Sequence, residues 1–240
     1  MNKILKTIGN NAVIAFKSKI NSKKKNKVLL DYIKLIDINR NKIINENKKD
    51  ISLAKKKSLK DNFIKRLYLN NNKINSIINS IKVIMKLKDP VDLELGKWVR
   101  PNGLKIKRVS IPIGVIGVVY ESRPNVTADV STLCFKSGNC VVLRGGSEAY
   151  FSNKILANLF RKSLYKNKIN KNFVQFVNNT DRKLVDFMLS KMSGYIDVII
   201  PRGGKNLVKR VKKLSSVPVI GHLEGVCHTY IDKDVNINMA

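Results

Sequence analysis

The stretch Ile113-Gly-Val-Ile-Gly-Val-Val-Tyr-Glu-Ser-Arg-Pro-Asn125-Val-Thr-Ala-Asp129 decides the fold. It opens as an apolar run rich in β-branched residues, the composition of a strand buried on both faces. It then breaks at Glu121-Ser-Arg-Pro into a polar turn that presents Asn125 just before a helical pattern resumes. Strand, loop and helix in that order make the unit of an α/β sheet, where ligands bind at the loops leaving the carboxyl ends of strands. Ser122, Arg123 and Asn125 therefore stand where chemistry is expected.

Downstream the same rhythm repeats. Strands are expected at 113–120, 140–144, 173–178, 196–200 and 217–220, with helices near 126–137, 148–163, 181–191 and 204–214 between them. Alternation of this length predicts a doubly wound parallel sheet of about five strands. A last short strand is expected over Val226-Cys-His-Thr-Tyr-Ile231. Upstream, apolar residues fall at helical spacing, as in Val28, Leu29, Tyr32, Ile33, Leu35 and Ile36 and again from Ile74 to Met85. Asp89-Pro90 ends that pattern, and Leu93 to Ile111 reads as a hairpin turning near Pro101-Asn-Gly103. The expected organisation is thus a helical N-terminal layer over 1–90, a hairpin over 91–112, an α/β domain over 113–224, and the start of a further domain over 225–240.

Composition narrows the function classes. Lys and Arg number 47 against 17 Asp and Glu, a formal charge of +30 that would ordinarily suggest nucleic acid or an anionic membrane surface. The lysines are instead scattered among Asn and Ile, with no aromatic interleaving on a strand and no nucleic-acid module, so no specific nucleic-acid partner is expected. Lys, Asn and Ile share A/T-rich codons, which accounts for the excess as solvated surface. Cys134, Cys140 and Cys227 show neither a disulfide framework nor metal-ligand spacing, and a reducing cytoplasm fits them. The N-terminal apolar run is short and interrupted by Asn11 and Lys17, and no apolar span is long enough for a membrane.

Two strand ends carry the same tripeptide. Arg144-Gly145-Gly146-Ser147 leaves one strand and Arg202-Gly203-Gly204 leaves another, and each turn could aim backbone N–H groups and a helix N-terminus at an anion. A purely structural turn is the competing reading of either pair. Neither matches the G-x-G-x-x-G fingerprint or the P-loop.

The residues I111-PIGVIGVVYESRPNVTADVSTLCFKSGNCVVLRGGSEA-149, then IDVIIPRGGKNL and VPVIGHLEGVCHTYID, closely resemble gamma-glutamyl phosphate reductases, members of the aldehyde dehydrogenase superfamily. The likeness extends through NENKKDI at 45–51, KRLYLNNNKI at 65–74 and WVRPNGLKI at 98–106. It implies an aldehyde-dehydrogenase-like fold and NADPH-dependent reduction of L-glutamate 5-phosphate to the 5-semialdehyde and phosphate in proline biosynthesis. The implied chemistry is covalent: a Cys thiolate attacks the acyl phosphate, phosphate leaves, and hydride reduces the thioester. By resemblance Asn125 holds the oxyanion, the alternative being a helix cap. Arg144 matches a Lys that many relatives place on the adenosine ribose, and Ser147 stands where NAD-preferring relatives place a Glu, a pairing that suits a 2′-phosphate. Gly145, Gly146, Gly203 and Gly204 would face the nucleotide, and Ser122, Arg123 and Arg202 could meet phosphates.

The nucleophile is the departure. In the family the G-x-C-H element around Cys227 precedes the catalytic cysteine, which lies in a QRP-x-x-CN motif beyond Ala240. Cys227 is therefore read as a buried structural thiol, and Cys134 and Cys140 as core residues. The resemblance further implies a homo-oligomer when full length, and the chain is expected to be a fragment, a split-enzyme half completed by another polypeptide, or an inactive remnant. A basic binding protein for nucleic acid on the same fold is the alternative from another class.

Overall fold

A computed structural model describes residues 2–121, 123–221 and 227–239. Five helices open the chain: α1 (Asn2–Phe16), α2 (Ser22–Ile38), α3 (Arg40–Lys56), α4 (Asp61–Leu67) and α5 (Asn71–Lys86). Asparagine starts two of them, because the Asn21 and Asn70 side chains accept hydrogen bonds from the backbone N–H groups of Lys24 and Lys73. The apolar stripe of α5, Ile74, Ile77, Ile78, Ile81 and Ile84, is buried as its spacing predicts. The expected hairpin follows as β1 (Glu94–Val99) and β2 (Lys105–Val109), antiparallel and largely exposed.

The α/β part comprises β3 (Val115–Tyr120), α6 (Pro124–Lys136), β4 (Cys140–Gly145), α7 (Tyr150–Lys166), β5 (Val174–Phe176), α8 (Arg182–Lys191), β6 (Val198–Arg202) and α9 (Lys205–Leu214). The four strands are parallel in the order β5-β4-β3-β6. The chain thus winds outward from β3 to β5 and then returns to the other side of β3. That reversal creates a crevice at the carboxyl ends of β3 and β6. Every residue of β3 and of β4 is buried, as the unbroken apolar runs require for strands covered on both faces.

Two expected strands differ. Residues 217–220 contribute a single parallel bridge, Ile199 to Val219, rather than a full fifth ladder. Of the expected strand over 226–231, Val226 lies outside the described residues and Cys227 to Ile231 form no strand. These residues are exposed, and β-branched sequence becomes a strand only where a hydrogen-bonding neighbour lies alongside it.

One hydrophobic core runs from Leu5 to Val217, so the helical layer and the sheet share an interior. Tyr32 of α2 and Phe160 of α7 pack with ring centroids 4.7 Å apart, and Phe135 stands edge-on to Phe160 and Phe173 at 5.6 Å. Polar clamps fix the same interface. The buried Asp50 carboxylate of α3 accepts from the backbone N–H groups of Phe151 at 3.0 Å and Ser152 at 2.8 Å, and from Ser152 Oγ at 2.6 Å. Asn47 donates to Leu67 O and Ser152 Oγ and accepts from Leu69 N–H. The NENKKDI segment is thereby a brace that caps α7 and seats the chain between α4 and α5.

Candidate functional site

A cavity of about 350 Å³ opens at the carboxyl ends of β3 and β6, lined by Arg66, Glu121, Arg123, Arg202, Gly203 and Gly204. Gly203 is there because of close packing: a Cβ would lie 2.6 Å from Glu121 Cδ and 2.7 Å from Leu207 Cδ2. The N–H of Gly204, at the start of α9, donates to Glu121 Oε2 at 2.9 Å. The chain's own carboxylate thus stands at the position that a helix N-terminus offers to an anion. Arg66, Arg123 and Arg202 are exposed and make no side-chain hydrogen bond or ion pair among the described residues.

Beside it, a cavity of about 540 Å³ lies over the ends of β3 and β4, between α8 and α9. Val185 and Leu207 give it apolar wall, while Arg144, Glu148, Arg182 and Arg210 give it charge. Arg144 is only 6% exposed. Its guanidinium donates to Thr180 O at 2.9 Å, to Asp181 O at 3.4 Å and to Gly145 O, and its Nε is buried without a partner. Burial pulls this guanidinium below the usual arginine range. Arg144 thus borders the cavity beside the expected cofactor turn while bracing the loop ahead of α8. Ser147 Oγ donates to Glu148 Oε1 at 2.9 Å, so the expected small hydroxyl stands against a carboxylate. Gly145 lies inside β4, where a Cβ would meet the Asn153 amide and come within 3.0 Å of the Tyr120 ring, while Gly146 forms the wall of the cavity.

Asn125 lies in the first turn of α6, whose N-cap is Arg123. Its Nδ2 donates to Asp129 Oδ2 at 3.0 Å, and Asp129 Oδ1 accepts from Ser80 Oγ at 2.9 Å. The amide is therefore not a cap. A carboxylate can only accept, so Asp129 fixes the NH₂ end of Asn125 and leaves its second N–H for another acceptor. Asn125, Asp129 and Ser80 line a third cavity of about 540 Å³ together with Lys65, Arg66 and Arg123. Arg66 and Arg123 border this cavity and the crevice at β3 and β6 alike. Ser122 lies outside the described residues.

None of the described cysteines is placed as a nucleophile. Burial pushes the Cys134 thiol up to about 12 and the Cys140 thiol higher still, so both stay protonated at neutral pH. Cys227 is exposed rather than buried, which corrects the reading of it as a core thiol, and it lines none of these cavities. The physical reason is the missing strand: among the described residues Cys227 to Ile231 have no ladder neighbour, and they stay exposed. Residues that sequence reasoning passed over are Arg66, Glu121, Asp129 and Arg182. Only Asp129 had a legible signal, its four-residue offset from Asn125 on one helix face.

No family model matches the chain. Curated proteins and solved structures do. Gamma-glutamyl phosphate reductase of Nitratiruptor sp. is 46% identical over 222 residues, which are 92% of this chain and 54% of that protein. The Clostridium tetani protein of the same name is 42% identical over the whole chain and 56% of its own length. The crystal structure of gamma-glutamyl phosphate reductase from Thermotoga maritima superposes with a TM-score of 0.87 at 37% identity, covering 90% of this chain and 52% of that one. The fold is also that of a probable aldehyde dehydrogenase from Listeria monocytogenes, with a TM-score of 0.68 at 15% identity, 92% of this chain and 46% of the other. The chain resembles gamma-glutamyl phosphate reductases over nine-tenths of its length and spans about half the length of these relatives.

Proposed function

We infer that the chain is the N-terminal, cofactor-binding portion of a gamma-glutamyl phosphate reductase, acting in NADPH-dependent reduction of L-glutamate 5-phosphate to L-glutamate 5-semialdehyde and phosphate. The observation that carries this reading is identity of 46% to a curated reductase across 92% of the chain. The geometry agrees. A phosphorylated dinucleotide needs an apolar slot for its base and cations for its phosphates. The paired cavities offer Val185 and Leu207 for the first, and Arg66, Arg123 and Arg202 for the second.

Bound there, the dinucleotide would supply hydride. The chain's own residues do the rest of what these residues can do. Asn125 offers one amide N–H to the carbonyl oxygen as negative charge develops on it, held in that orientation by Asp129 and Ser80. Arg66 and Arg123, bordering both the crevice and the Asn125 cavity, draw in an acyl phosphate and neutralise the departing phosphate. Cys134 and Cys140 are buried and protonated and Cys227 lines none of the cavities, which supports an attacking thiol supplied from outside the described residues. The exposed hairpin, with Trp98 and Val99 facing out, fits a role in a homo-oligomer. The free cysteines fit the cytoplasm.

Titration of the chain with NADPH and with an oligonucleotide across a salt series tests the reading. Saturable, stoichiometric NADPH binding is expected, with oligonucleotide binding that fades as salt rises, the signature of a charge of +30 without a built nucleic-acid site. Salt-insensitive oligonucleotide binding without NADPH binding overturns it in favour of a nucleic-acid protein.

A further inference from the structure

We propose that Arg182, at the start of α8, selects a dinucleotide carrying a 2′-phosphate. The inference rests on the reductase reading and names the residue behind its cofactor preference. The cavity between α8 and α9 holds three arginines, Arg144, Arg182 and Arg210. Arg144 is buried and holds the carbonyls of Thr180 and Asp181. Arg210 is paired with Asp186, Nη2 lying 2.9 Å from both carboxylate oxygens. Arg182 alone of the three has no hydrogen bond or ion pair among the described residues. It is exposed, and its five N–H donors are unengaged.

Its place in the helix adds to this. A cation in the first turn of a helix faces the positive end of the helix dipole, an unfavourable placement when nothing compensates it. The first turn of α8 carries Arg182 and Lys183 and no acid, with Asp181 capping it from outside. A phosphate dianion in front of that turn reverses the sign, because helix end and guanidinium then act on the same charge. Two carboxylates also border the cavity. Glu121 is held by the Gly204 N–H, and Glu148 accepts from Ser147. With the acids so engaged and Arg144 fixed beneath, Arg182 is the donor set that can close on a phosphate standing beside the apolar wall of Val185.

The test is binding of three nucleotides to the whole chain and to its Arg182→Gln variant by calorimetry: 2′,5′-ADP, the equally charged 3′,5′-ADP, and 5′-AMP. The wild-type chain is expected to prefer 2′,5′-ADP over 3′,5′-ADP by about tenfold, and Arg182→Gln to abolish that preference while changing 5′-AMP affinity by less than about twofold. Arg210→Gln, the removal of an arginine already paired, should keep the preference. A wild-type chain that binds the two isomers equally, or a preference that survives Arg182→Gln, overturns the assignment of Arg182 yet leaves the dinucleotide reading standing. Failure of the wild-type chain to bind any of the three removes that reading and the assignment with it. Coincident thermal melts of variant and wild type guard against a folding defect.

Discussion

Two Arg-Gly-Gly turns leave the same edge of one sheet, and their first glycines are both closely packed, yet their arginines differ in burial and in partners. At the end of β4 the arginine is buried, its guanidinium tied to the carbonyls of Thr180 and Asp181, and its first glycine sits inside the strand against Tyr120. At the end of β6 the arginine is exposed and unengaged, and the second glycine starts a helix with open space at its Cβ position, the nearest atom being Glu121 Oε2 at 3.8 Å. The difference follows from strand order. β4 has a neighbour on each side, β5 and β3, whereas β6 has β3 on one side and a single bridge on the other. Position in the sheet, rather than the tripeptide, decides which arginine is a brace and which stays open to the cavity.

The comparison can be broken by experiment. The widest contrast is kinetic: at pH 8 Cys227 should react with a disulfide reagent within minutes, while Cys134 and Cys140, behind the β4 side, react about a thousandfold more slowly. Three thiols labelling at one rate would show that the interior around β4 is open. Next in size, Arg144→Ala should lower the unfolding free energy in a urea titration by about 2–4 kcal/mol, because it removes charge-assisted hydrogen bonds to the buried Gly145 carbonyl and to the part-buried carbonyls of Thr180 and Asp181. Arg202→Ala should stay within about 0.5 kcal/mol in the same urea titration. Equal losses in the two variants would erase the distinction. The glycines repeat it on a smaller scale, with Gly145→Ala expected to destabilise by about 1–3 kcal/mol through overpacking and Gly204→Ala by under about 1 kcal/mol. The smallest effect sharpens the picture: Glu121→Gln frees the end of α9 of its resident charge and should tighten NADPH binding about two- to threefold in a fluorescence titration. Weaker binding would mean that Glu121 assists the nucleotide instead of standing in its place.

Most of the fold was legible because periodicity reports burial directly. The run at 113–120 became β3 with every residue from Val115 to Tyr120 buried, and the isoleucine stripe of α5 turned inward. The hairpin followed from Pro101-Asn-Gly103 for the same local reason. Where sequence failed, the deciding contact was distant in the chain. Arg144 beside two glycines reads as a surface turn, and only the loop thirty-six residues on makes it a buried brace. Cys227 sits in β-branched surroundings that read as strand, yet among the described residues no neighbour pairs with them. Resemblance pointed to Asn125, but its partner Asp129, four residues on along one helix face, was passed over. Arg66 and Arg182 gave no local sign, since an isolated arginine in so basic a chain looks like any other.

The shared interior has a consequence for biosynthesis. Helix α1 docks on β3, β4, β5 and α8, and Ile8 O accepts from Gln175, 167 residues away. A ribosome therefore releases the first five helices, with apolar stripes already formed, well before it delivers the strands that cover them. At about 5–20 residues per second that interval lasts many seconds, during which the nascent segment needs a chaperone or its own lysine-rich surface to stay out of aggregates. The high positive charge that invited a nucleic-acid reading then finds a use in keeping an unfinished protein dispersed.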